Sequence, residues 1–154
     1  MLRMLVGLVG LFVAASAWAG SWNGSFTLIS SQSNDGIEYC GDFVTITSMI
    51  NRSGEVQQIE LSGANQSLGI FKNDLKFKWG HEGFYGYNRF GGVVNSKEAT
   101  RITTTTSFGG IKPYHASHGQ RLRLSDDGQT LTYKGHDTTY GAGYHFTCVY
   151  QRNN

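Results

Sequence analysis

The sequence predicts an all-β fold: a single-domain, up-and-down antiparallel barrel of about eight strands, with a two-layer β-sandwich as the alternative and one disulfide. Three observations carry that prediction. Apolar residues recur with period two in short runs; in the last of these, Tyr144, Phe146, Cys148 and Tyr150 alternate with His145, Thr147, Val149 and Gln151, the pattern of a strand with one buried side. The composition holds 21 Gly, 8 Tyr and 9 Phe but one Pro, which is strand-and-turn chemistry rather than helix chemistry. Two cysteines, Cys40 and Cys148, stand near the two ends of the chain; in an exported protein they make one bridge.

Export is expected from residues 1–19. Arg3, the apolar run from Leu5 to Ala15 and the small-x-small site Ala17-Trp18-Ala19 have the layout of a bacterial-type secretory signal peptide. Removing those 19 residues from 154 leaves 135, enough for one domain over 20–154 and too few for two. The expected location is the periplasm or the medium, where disulfides persist. No membrane span is expected, because the leader is too short and no later stretch is continuously apolar. Without Arg3, the 13 Lys and Arg become 12 against 11 Asp and Glu. A net charge so close to zero gives no case for nucleic acid or an anionic membrane as partner.

Taken in order, the first strand spans Trp22 to Ile29, with Trp22, Gly24, Phe26 and Leu28 on one face. Ser30 to Gly36 is polar and ends in the turn signal Asn34-Asp35-Gly36. A second strand covers Tyr39 to Ile50, and Asn51-Arg52-Ser53-Gly54 reads as the hairpin turn into a third, Glu55 to Ser62. Leu68 to Phe71 and Leu75 to Trp79 are short strands flanking Lys72-Asn73-Asp74. Gly80 to Gly92 is rich in glycine and aromatics and fits either a bent strand or an exposed loop. Glu98 to Phe108 is β-prone through its threonines, Gly109 to Gly119 reads as a loop with Pro113, and Arg121 to Leu124 pairs with Thr130 to Tyr133 across Ser125-Asp126-Asp127-Gly128.

Gly20-Ser21-Trp22, at the entry to the first strand, resembles the Gly-x-Trp signature of lipocalins and other calycins. Arg152 is similar to the late arginine that packs over that Trp in the family. The resemblance implies a β-barrel around an apolar cavity that carries a small hydrophobic ligand. The family's Thr-Asp-Tyr segment has no counterpart in this chain.

Chemistry-bearing patterns are sparse. His81-Glu82 opens like a zinc-protease motif, but Tyr85 stands where the second His must be. His115 and His118, placed in the expected loop, are the weak metal candidates, with His136 and Asp137 able to close such a site. Glu38 and Asp42 flank Cys40, and Asp126 and Asp127 belong to a turn. No catalytic residue and no cofactor is assigned, and an enzyme is not the expectation. The contact candidates are Tyr85, Tyr87 and Arg89, joined by Tyr140 and Tyr144 around Gly141-Ala142-Gly143, rigid amphipathic groups suited to a protein partner or a ligand. The leading expectation is an exported, non-enzymatic binding protein holding a small hydrophobic ligand. The alternative is a periplasmic or secreted module, of inhibitor or immunity type, that contacts a protein target through aromatic loops. A filled interior together with an exposed Tyr85-Tyr87-Arg89 patch favours the second.

Overall fold

The computed structural model describes residues 21–63, 67–79, 86–107, 114–138 and 143–154, without the side chains at 67, 74–79, 86–90, 105–107 and 114–115. Ten strands follow one another: β1 Gly24–Ser33, β2 Phe43–Ile50, β3 Val56–Ser62, β4 Ser67–Lys72, β5 Asp74–Trp79, β6 Gly86–Val94, β7 Glu98–Ser107, β8 Tyr114–Leu124, β9 Thr130–Asp137 and β10 Tyr144–Arg152. Their order in the sheet is β4-β3-β2-β1-β10-β9-β8-β7-β6-β5. Every pairing is antiparallel, and β1 joins the two halves by pairing with both β2 and β10. The result is an all-β, up-and-down, nearly closed barrel-like sheet whose end strands, β4 and β5, form the seam. Among the described residues no helix is long and apolar enough to cross a membrane.

The strand count is ten rather than about eight. Part of the difference lies in the segment read as a loop: β8 begins at Tyr114 and pairs with the whole of β7, from Ser107↔Tyr114 to Glu98↔Arg123. The threonine-rich β7 has backbone groups along its full length that need partners, and only a long β8 supplies them. The glycine-aromatic stretch is a strand from Gly86 onward; residues 80–85 lie outside the described residues. β1 also runs past Ile29 through the polar residues to Ser33, because β10 offers it partners up to Ser33↔Phe146, with a bulge between Leu28 and Ser30.

Inward positions follow the predicted alternation. Trp22 and Phe26, Val44 and Ile46, Ile59 and Leu61, Leu122 and Leu124, Leu131 and Tyr133, and Phe146, Cys148 and Tyr150 form one buried cluster. Each large apolar side chain removed from water contributes about 1.5–3 kcal/mol. Cys40 and Cys148 are bonded, closing a loop with a sequence separation of 108, which on the chain-entropy model contributes about 4–5 kcal/mol.

The end of the barrel where β1 begins, the lower end, is plugged. The Trp22 indole N–H donates to the Asn95 carbonyl at 2.8 Å. Arg152 donates to the carbonyls of Gly128 at 2.7 Å, Asn23 at 2.7 Å and Ser21 at 2.6 Å. Its guanidinium lies 4.5 Å over the ring of Phe26, not over Trp22. Arg152 thus grips the carbonyls on both sides of Trp22 while stacking one inward position further along β1.

Three inward glycines show how the middle of the barrel is filled. A Cβ on Gly92 would fall 2.6 Å from the Thr100 carbonyl oxygen and 2.7 Å from that of Lys72. One on Gly135 would fall 2.4 Å from the Phe146 ring, and one on Gly69 3.1 Å from Gln120 Oε1. The missing side chains leave places that neighbours take at the Cβ position. They let β4 lie against β6 and β7 and let Phe146 lie across β9.

Candidate binding rim

Because the strands alternate in direction, the connections after β1, β3, β5, β7 and β9 all leave from the upper end. Tyr144, at the start of β10, and the beginning of β6, which carries Tyr87 and Arg89, belong to that end. They stand on different walls, with β7, β8 and β9 between them. Tyr87 and Arg89 are two residues apart on β6. Tyr85 and Tyr140 lie outside the described residues.

The part of the rim with the most defined geometry is the 34–42 connection, which sequence reasoning treated only as a turn and the start of a strand. β2 does not begin until Phe43, so this segment arches from β1 across to β2. Four contacts hold it. Cys40 is bonded to Cys148. Asn34 accepts from the His145 backbone N–H at 2.7 Å through its side-chain oxygen and donates to the Gly143 carbonyl at 3.2 Å. The Tyr39 hydroxyl donates to Asp35 Oδ2 at 2.5 Å, and Asp35 Oδ1 accepts from the Ile37 N–H at 3.1 Å. The Tyr39 ring stacks on Tyr144 at 4.7 Å and on Phe146 at 4.9 Å, while Tyr133 meets Phe146 edge-on at 5.2 Å. Gly36 takes a φ of 76°, the left-handed conformation that lets the arch turn and that costs glycine little.

Electrostatics follow from these contacts. The hydrogen bond to Asp35 pushes the Tyr39 phenol up to about 12, and the same bond lowers the Asp35 carboxyl. Burial pushes the Tyr133 phenol up to about 12. Asp35, Glu38 and Asp42 are exposed, and residues 34–42 contain no Lys, Arg or His. Ile37 is 58% exposed, and Phe43 at the foot of the arch is 46% exposed. Between the arch and the upper half of β1 lies a recess of about 420 Å³ with Tyr39, Phe146 and Glu38 in its lining. A second opening of about 330 Å³, between Ile70 of β4 and Ile102 of β7, sits at the seam.

Among the described residues, the other sequence candidates do not assemble into a reaction centre. His115 and His118 both lie on β8, a strand rather than the expected loop. His118 Nδ1 is 3.2 Å from Asp137 Oδ2, and Ser117 Oγ is 3.2 Å from His136 Nε2. These pairs look like pieces of a triad, but they use different histidines on alternating faces, and the carboxylate never reaches the histidine that faces the serine. Among the described residues no three His, Cys, Asp or Glu side chains come together as metal ligands. Asp126 and Asp127 serve their surroundings: the first pairs with Lys97 at 2.5 Å, and the second accepts from the Gln129 N–H at 3.0 Å.

No protein-family model, no curated protein and no solved structure matches the chain.

Proposed function

We propose that this protein is an exported, non-enzymatic binding module that contacts a protein target through the upper rim of its barrel. The observation that carries the reading is the use of the inward glycines: at Gly92 and Gly135 another part of the protein stands where a Cβ would go, and at Gly69 the Gln120 side chain crowds that place. An interior arranged for a carried ligand leaves room at such positions, as the calycin resemblance implies. Here Phe26, Phe71 and Tyr150 are buried side chains among the large residues that fill the same interior. The rim supplies what a protein target needs: an arch pinned in place before binding, with an exposed apolar residue at its tip and aromatic rings behind it. Pre-organisation of that kind lowers the ordering cost of association. The Cys40–Cys148 bridge fits an oxidising compartment.

The test places a photocrosslinker, p-benzoylphenylalanine, at Ile37 or Tyr144 on the rim and at Asn51 or Lys97 on the lower end. Each version of residues 20–154 is then irradiated with the exported fraction of its source. A discrete adduct from the rim positions alone is the expected result. Adducts from the lower end alone, or none together with a few hundred daltons of mass that leaves on denaturation, would overturn the reading in favour of an interior ligand.

A further inference from the structure

β1 is ten residues long, yet β2 pairs only with Gly24 to Thr27, and one further bond joins the Leu28 N–H to the Asp42 carbonyl. From Ile29 to Ser33, β1 therefore has β10 on one side and no strand on the other. The register says which groups are left open. The Asn34 N–H donates to the His145 carbonyl, so Asn34, Gln32 and Ser30 turn their backbone groups toward β10, and Ser31 and Ser33 turn theirs to the free edge. Among the described residues, no backbone hydrogen bond outside the strand ladders uses the N–H or carbonyl of either serine.

A free edge is a template for another strand. At the other free edge next to described side chains, that of β4, the Lys72 carbonyl lies against the inward side of β6 at Gly92. The β1 edge instead opens onto the recess of about 420 Å³, whose lining includes Ser31, Ser33, Ile37, Glu38, Tyr39 and Phe146. The far wall is the disulfide-held arch, so the slot exists before anything enters it.

Resting on the rim reading above, we infer that this slot accepts an extended segment of the partner protein as an added strand on β1, with a Lys or Arg of that segment seated beside Glu38. Strand addition takes its affinity from main-chain bonds and its selectivity from pockets for alternate side chains. The main-chain bonds are those that Ser31 and Ser33 leave open. The pocket has aromatic rings from Tyr39 and Phe146 and a carboxylate from Glu38, the surroundings that favour a cation on an apolar stem. Asp35 and Asp42 add negative charge on the arch without a base among residues 34–42, so the partner segment is basic.

The experiment pans a random heptapeptide phage library against residues 20–154 and synthesises the enriched peptides, each also in a form N-methylated at alternate residues. The expected result is β-prone peptides carrying a central Lys or Arg, with amide shifts and slowed exchange at Ser31 and Ser33 on ¹⁵N spectra. N-methylation should weaken them at least tenfold. Ser31→Pro, which removes an N–H that no strand uses, should do the same while leaving the melting temperature within a few degrees. Glu38→Lys, an exposed change, should turn the preference toward acidic peptides. No enrichment, equal binding of N-methylated peptides, or an unchanged preference in Glu38→Lys would overturn the strand-addition proposal. If the rim still crosslinks its target while Ser31→Pro has no effect, strand addition fails and the rim reading stands. If only the lower end crosslinks, both fall.

Discussion

At the lower end, polar side chains close on the protein's own backbone. Asn51 Oδ1 accepts from the N–H groups of Ser53 and Glu55, and Asn95 Oδ1 from those of Lys97 and Glu98. Arg152 satisfies three carbonyls, that of Gly128 and the two on either side of the buried Trp22. At the upper end the arch over 34–42 is equally well held, Asp42 through its carbonyl to the Leu28 N–H, but among the described residues the carboxylates of Glu38 and Asp42 make no hydrogen bond, and Ile37 is exposed. The same chemistry locks one end and is left available at the other. On the rim reading proposed above, the lower end is closed on itself and the upper end is the one that recognises, and separate mutations should separate the two.

The largest expected effect tests the lower half. Phe26 is fully buried under Arg152, so Phe26→Ala should cost about 3–5 kcal/mol, read as a shift in the urea midpoint. A change below about 1 kcal/mol would mean that this end is not where the barrel is held. Removing the bridge with Cys40→Ala and Cys148→Ala should cost about 2–5 kcal/mol, distributed differently: amide exchange should speed up across residues 34–42 while the Ile46 and Ile59 amides of β2 and β3 stay protected. Uniform acceleration would erase the contrast between the two ends. Gly92→Ala comes next, at about 1–3 kcal/mol, because its Cβ would meet two backbone carbonyls that a rotamer change cannot move. A neutral result would mean that β4 has room to retreat, and would return weight to an interior ligand.

Much of the barrel was legible in the sequence because its cues are local. The period-two runs placed β10 from Tyr144 to Arg152, and inward Ile59 and Leu61 announced β3. The turns at Asn51 and Ser125 announced their hairpins. The first half of β8 was not legible, because inward His118 and Gln120 break the apolar alternation that continues at Leu122 and Leu124. The free edge of β1 was hidden for a different reason. It depends on where β2 stops pairing, a relation between two strands that no single stretch encodes. The arch did leave a trace: three acids around Ile37, next to a bridged cysteine, with no basic residue among them.

The smallest effect concerns pH and sharpens the description of the arch. Tyr39 is raised to about 12 and Asp35 is lowered, both chiefly by the bond they share. For Tyr39 the raised value means that the contribution is complete below the ordinary phenol value of about 10 and is lost as pH rises toward 12. For Asp35 the lowered value means that the contribution is present above the ordinary carboxyl value of about 4 and is lost as pH falls through the lower folded one. Both limits lie outside the range in between, so the arch should keep one shape there, and rim binding that depends on it should not vary with Asp35 or Tyr39 titration. Spectrophotometric titration of the phenols should show the Asp35→Asn variant returning one tyrosine toward the ordinary value while the high-titrating, buried Tyr133 and Tyr150 stay near 12. If no tyrosine moves, Asp35 does not hold Tyr39, and the order of the arch rests on its disulfide and its ring stack.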